Sequence, residues 1–311
     1  MDAELRSKRR FIWWAAGALF VALLFTPGIG PKDDTQTDDR PRVLTTFTVI
    51  ADMTREVAGG RVRVDSITKP GAEIHGYEPT PSDLRRAAGA NLVLENGMNL
   101  ERWFEQFIGD AGTKSVTLTE GIKPVPIEGA SEYAGKPNPH AWMSTENAKV
   151  YVENIRSALS DLDPAGAEEY AANARSYTKR IDAISRQVSA ELALLPRNRR
   201  ALVTCEGAFS YLARDFDLAE QYLWPVNAEA EGTPQQVADS VDFVRDRKVP
   251  SVFCESTVSN KAQKQVAAES GANFGGTLYV DSLSKADGPV PTYLSLLQRN
   301  AETILKGLTN R

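Results

Sequence analysis

The sequence predicts an α/β protein of two lobes, each with a mostly parallel four-stranded sheet, joined by one long backbone helix. Three observations predict it. Short β-branched runs alternate with amphipathic stretches in both halves of the 311 residues, Gly and Pro punctuate the joins, and one unbroken apolar pattern spaced by three and four links the halves. A composition of 42% hydrophobic and 25% charged residues is ordinary globular material, long enough for two lobes. The formal net charge of −5 gives no broad basic field, so nucleic acid is not an expected partner. A small ligand or a protein is.

The chain begins with Arg6, Lys8, Arg9 and Arg10 ahead of the apolar run from Phe11 to Phe25. That run is short for a membrane span and suits the core of a secretory signal. Residues 1–28 are therefore read as a signal peptide or retained N-terminal anchor, and the Pro-, Gly- and Asp-rich residues 29–41 as a flexible spacer. Neither stretch contains cysteine, which excludes a lipid anchor on such a residue. A cleaved periplasmic protein and a chain held by its N-terminus remain the two choices.

Residues 42–162 are expected to form the first lobe. Strands are predicted at VLTTFTVI (43–50), VRVDSIT (62–68), NLVLENG (91–97) and SVTLTEGI (115–122). Between them ADMTREVAGG, PTPSDLRRAAG and NLERWFEQFIGDAG read as helices, the second capped by Thr80 or Ser82 and the third with Leu100, Trp103, Phe104 and Phe107 on one face. A further helix is predicted from Ser144 or Thr145 to Leu159, with Glu146 at its positive end.

Residues 163–196 carry the linking helix. Asp163 and Pro164 open it, Pro196 stops it, and its apolar stripe is Tyr170, Ala174, Tyr177, Ile181, Ile184, Val188, Leu192 and Leu195. At 1.5 Å per residue it would span roughly 48 Å. A single covalent strut needs no second chain, so a monomer is expected rather than a coiled coil.

Residues 197–311 repeat the alternation as a second lobe. Strands are predicted at ALVTCEGAF, LAEQYLWPV, SVFCES and FGGTLYVDSL, with helices at SYLARDFD, TPQQVADSVDFVRDR, TVSNKAQKQVAAESG and from Pro291 to Leu308. Cys205 and Cys254 each close an apolar strand and precede a glutamate. They pair if those strands are neighbours in an exported protein, and are otherwise buried free thiols.

The chain has two histidines, and both lie in loops: His75 in KPGAEIHGYEPTPSD and His140 in GKPNPHAWMS. Imidazole is the commonest nitrogen ligand of transition metals, so acids completing a site are sought at the carboxyl ends of strands, where α/β proteins bind ligands. Glu206 and Asp281 occupy such ends. Glu255 follows Cys254 as Glu206 follows Cys205, and the residues alone do not rank the two. Glu78, Glu229, Glu231 and Asp287 are read as flanking or surface groups. Two imidazoles and two carboxylates would offer up to two nitrogens and four oxygens.

The strings HGYEPTPSD, NPHAWMS, EGAFSYLARDF, CESTVSNK and YVDSLS with ADGPVPTYL, in this order between Val43 and Leu308, resemble the metal-binding receptors of ABC importers. These are the helical-backbone solute-binding family for manganese, zinc and iron. The resemblance implies two α/β lobes joined by one long helix, metal ligands at His75, His140, Glu206 and Asp281, and delivery to an ABC permease with its ATPase. It also selects Glu206 over Glu255. Zinc members typically add a third histidine and a His-rich loop, both missing here, so Mn²⁺ or Fe²⁺ is the expected cargo. Zn²⁺ is expected to bind in vitro because it stands higher in the intrinsic affinity series. A metal-dependent hydrolase or oxygenase is the rival class, but no HExxH or GxSxG motif is present and no third histidine stands by to activate Ser256. A surface adhesin using the fold structurally is the third reading.

Overall fold

The computed structural model describes residues 38–104, 112–128, 133–226 and 232–309. The predicted signal or anchor, residues 29–37 of the spacer, Phe107, Glu229 and Glu231 lie outside the described residues.

The first lobe is built on β1 (Arg42–Thr45), β2 (Arg63–Ser66), β3 (Leu92–Glu95) and β4 (Ser115–Thr117). They form one four-stranded sheet in the order β2-β1-β3-β4, with every pairing parallel. The crossovers include helices α1 (Thr48–Ala58) and α2 (Pro81–Ala88). The sequence reading of 43–50 as one strand is corrected here: the strand ends at Thr45, and Thr48, Val49 and Ile50 begin α1. All three are buried in the helix, so tertiary packing overrides their β-branched preference. Gly59, at φ 59°, ends α1 in the left-handed conformation that glycine tolerates. Thr80, not Ser82, caps α2: its hydroxyl accepts from Asp83 N while the Asp83 carboxylate accepts from Thr80 N.

Helix α3 (Thr145–Leu162) leads through a 3₁₀ turn at Pro164–Gly166 into α4 (Ala167–Ala193), the long helix. Its 27 residues correspond to about 40 Å. It is shorter than predicted because Asp163 does not cap: its carboxylate accepts from Arg61 Nε and Tyr170 OH, both at 2.8 Å, and the first turn tightens. Tyr170, Ala174, Tyr177, Ile181, Val188 and Leu192 are buried, while Ile184 and Leu195 are partly so. This stripe faces α1 and α3 from the first half and α8 (Tyr293–Thr309) from the second, so one core runs along the strut into both lobes.

The second lobe contains β5 (Ala201–Glu206), α5 (Ser210–Asp215), β6 (Ala219–Trp224), α6 (Pro234–Arg247), β7 (Ser251–Glu255), α7 (Lys261–Ser270) and β8 (Asn273–Leu278). Its four strands form two parallel pairs, β5 with β6 and β7 with β8, rather than one continuous ladder. The inner strands β5 and β7 are joined by other means. Cys205 and Cys254 form a disulfide with Cα atoms 4.9 Å apart, and the Gln263 amide donates to the carbonyls of both Val203 and Phe253. Of the two cysteine readings, the paired one holds. Strand β8 ends at Leu278, not at Asp281, because the Asn300 side chain takes over the next peptide: it accepts from Tyr279 N at 2.8 Å and donates to Tyr279 O at 2.6 Å.

Candidate metal centre

Each of the four sequence-selected side chains is delivered by chain at or beyond the carboxyl end of a strand or by a loop at that edge, as expected for an α/β crevice. His75 sits between β2 and α2. Glu73 shapes its turn, accepting from His75 N at 2.5 Å and Gly76 N at 2.7 Å. His140 precedes the 3₁₀ turn Ala141–Met143 that leads into α3, Glu206 is the last residue of β5, and Asp281 lies in the loop after β8.

The structure brings all four into one buried cluster. His75 Nε2 and His140 Nε2 are 3.0 Å apart, Glu206 Oε1 is 3.6 Å from the first and 3.9 Å from the second, and Asp281 Oδ1 is 3.7 Å from His140 Nε2. Among these, His75, His140 and Asp281 each offer a ligand atom within 4.8 Å of the other two. Their spacing is what a single ion would bridge. The side chains of His140, Glu206 and Asp281 are 0–1% exposed and that of His75 7%, which makes His75 the member nearest solvent. A small cavity of about 60 Å³ borders it, with Met98, Arg102, Tyr133 and Lys136 around the opening.

The electrostatics favour an incoming cation. Burial, reinforced by the neighbouring His75, holds the His140 imidazole well below its usual pKa, so the ring is neutral and offers a lone pair. Burial also raises Asp281, with the Glu73 charge adding to the rise, while His75 and the hydrogen bond from Thr257 Oγ1 to Asp281 Oδ2 at 3.1 Å act in the opposite sense. The other oxygen, Asp281 Oδ1, is buried with no hydrogen-bond partner among the described residues. A buried carboxylate oxygen left open toward two imidazoles is costly without a counter-ion.

The surrounding contacts fasten one lobe to the other. Trp142 Nε1 donates to Val280 O at 3.1 Å, one residue before Asp281, and Tyr211 OH donates to Asn138 O at 2.7 Å. Thr48 Oγ1 accepts from Leu283 N at 2.9 Å, and Gly71 N donates to Ser282 Oγ at 2.7 Å. Glu255 lies behind the cluster. It does not face the imidazoles; its Oε2 accepts from the backbone N of Glu206 at 3.2 Å. Glu78 and Asp287 are exposed. Sequence reasoning missed Glu73 and Asn138, each two positions before a cluster histidine, a spacing that suits a side chain turning back on the following backbone.

A buried set of imidazoles and carboxylates at the junction of two α/β lobes that share one long helix defines an ion-binding receptor. The comparisons with known proteins agree. The family described as zinc-uptake complex component A, periplasmic (ZnuA), matches residues 43–307. The chain is 50% identical over 289 residues to the iron-binding protein YfeA of Yersinia pestis, covering 93% of each chain. It is 32% identical over 304 residues to the manganese ABC transporter substrate-binding lipoprotein PsaA of Streptococcus pneumoniae, covering 94% of this chain and 97% of that one. The Mn-bound periplasmic metal binding protein of Candidatus Liberibacter asiaticus superposes with a TM-score of 0.81 at 40% identity, over 86% of this chain and all of that one. The chain belongs to this family: it is the metal-binding, substrate-binding component of an ABC transporter and not an enzyme. That sets the hydrolase and oxygenase reading aside.

Proposed function

We propose that the protein captures Mn²⁺ or Fe²⁺ in the periplasm through His75, His140, Glu206 and Asp281 and hands the ion to a membrane permease driven by its ATPase. The observation that carries the reading is the convergence of the four side chains, with the open Asp281 Oδ1 3.7 Å from the lone-pair nitrogen of His140. Two imidazoles with oxygen donors suit Mn²⁺ and Fe²⁺, and no third histidine exists in the chain to make a nitrogen-rich zinc site. The relatives named for iron and manganese support that choice. Zn²⁺ will bind in vitro, because imidazole accepts it and its intrinsic affinity is higher.

Residues 42–162 and 197–311 act as the two lobes around the ion, and 163–196 as the strut that limits their relative movement. The chain works as a monomer, since one copy supplies every ligand, and it binds no nucleic acid. Residues 1–28 direct export, and the Cys205–Cys254 disulfide suits an oxidising compartment. The test is the metal content of protein purified without chelator from its own periplasm. Manganese or iron at one ion per chain is expected; zinc alone, or no transition metal, would overturn the proposal.

A further inference from the structure

We propose that Asn138 is the positioning residue of this site: its amide fixes His140 as the Nδ1–H tautomer and ties that imidazole to the strand end that carries Glu206. The inference rests on the reading of the cluster as a metal site and adds to it a residue that touches no ion.

The orientation of the amide follows from its neighbours. One end lies 3.1 Å from the backbone N of His140 and 2.9 Å from His140 Nδ1. A backbone N–H only donates, so the atom facing it is the oxygen. The other end lies 2.6 Å from the carbonyl oxygen of Gly207, which only accepts, so that atom is the nitrogen; a longer contact of 3.4 Å runs from it to Ser210 Oγ. Both ends dictate the same assignment, and the amide has no freedom to flip. With an acceptor set against Nδ1, the His140 ring carries its proton there and keeps the lone pair of Nε2 for the cluster.

Asn138 is itself held firmly. Its backbone N donates to Val125 O at 2.8 Å, its carbonyl accepts from Tyr211 OH, and the residue is 2% exposed. Gly207 follows Glu206 directly, its N–H donates to Trp224 O at 2.9 Å, and a Cβ there would fall 2.5 Å from Pro225 O, so only glycine fits at this strand end. One side chain thus sets the ring of one donor and the distance between lobes at a second donor. Aspartate at position 138 would keep the acceptor for Nδ1 and lose the donor to Gly207. Alanine would lose both.

The chain's two histidines make the test direct, because long-range ¹H–¹⁵N spectra of the metal-free, full-length protein contain two rings. A His75→Gln variant assigns them. The wild-type His140 ring is expected as pure Nδ1–H, with Nε2 unprotonated. Asn138→Ala should give a mixed or Nε2–H ring and weaken Mn²⁺ binding by about 10- to 100-fold, the usual effect of losing a partner that orients a metal-binding histidine. Asn138→Asp, which preserves size and buried packing, should restore the Nδ1–H signature while recovering only part of the affinity. A wild-type His140 protonated at Nε2, or an Asn138→Ala ring unchanged from wild type, overturns the proposal. A wild-type chain with the Nδ1–H ring that binds no Mn²⁺ supports the role of Asn138 and overturns the metal reading instead.

Discussion

The backbone N–H of Glu206 donates to Oε2 of Glu255 at 3.2 Å, so the two acids that follow the paired cysteines have different tasks. Glu206 faces the imidazoles; Glu255 supports the peptide behind it. Burial, with the charge of Asp281 adding to it, pushes the Glu255 carboxyl up to about 8. At neutral pH it is mostly the uncharged acid.

That state has a consequence for stability. Burial likewise raises Glu101 and Glu220 to about 7, against unfolded values near 4.5. The folded chain therefore holds protons that the unfolded chain releases, and this stabilisation is full below pH 4.5 and is lost as pH rises through 7 to 8. The depressed His140 acts oppositely, but only below its ordinary value of 6.5. The metal-free protein is expected to lose melting temperature between pH 6.5 and 8.5, and Glu255→Gln to flatten that slope. Parallel slopes for wild type and variant in thermal scans would refute the Glu255 assignment.

Removing the disulfide should cost stability and weaken the site together. The bridge joins residues 49 apart, which in the loop-entropy account corresponds to about 4 kcal/mol. Cys205→Ala with Cys254→Ala should lower the urea midpoint accordingly and reduce Mn²⁺ affinity, because β5 and β7 share no backbone ladder to hold Glu206 in place. An unchanged midpoint would show that Gln263 and the Glu206–Glu255 hydrogen bond join the strands without the bridge.

The strut contains one polar atom that works against it. Tyr177 Oη is buried with no hydrogen-bond partner among the described residues, and such a group costs about 1–3 kcal/mol. Tyr177→Phe keeps the ring between the lobes and removes the hydroxyl, so equilibrium unfolding should show equal or higher stability. A loss of more than about 1 kcal/mol would mean that the hydroxyl is satisfied.

Much of this architecture was legible in the sequence because periodicity reports burial. The stripe from Tyr170 to Leu192 is buried where the spacing placed it, apart from the half-buried Ile184, and the alternation of strands and helices matches the parallel pairings. What escaped depended on contacts between distant residues. Thr48, Val49 and Ile50 read as strand because their β-branching is local while the core that makes them helical is not. The break between β5 and β7 follows from the Gln263 amide, and the early end of β8 from Asn300. The two histidines and Asp281 stood out by residue type and position. Glu206 and Glu255 occupy equivalent ends of neighbouring buried strands, and only their directions in space separate them.

The most direct test of the central claim is Mn²⁺ titration calorimetry on the wild type, His140→Ala and Asp281→Ala, read beside far-UV circular dichroism. The account predicts one tight site in the wild type and a loss beyond about 100-fold in each variant, the upper range for partners that merely orient a ligand, with unchanged spectra. Wild-type affinity retained in either folded variant would contradict it.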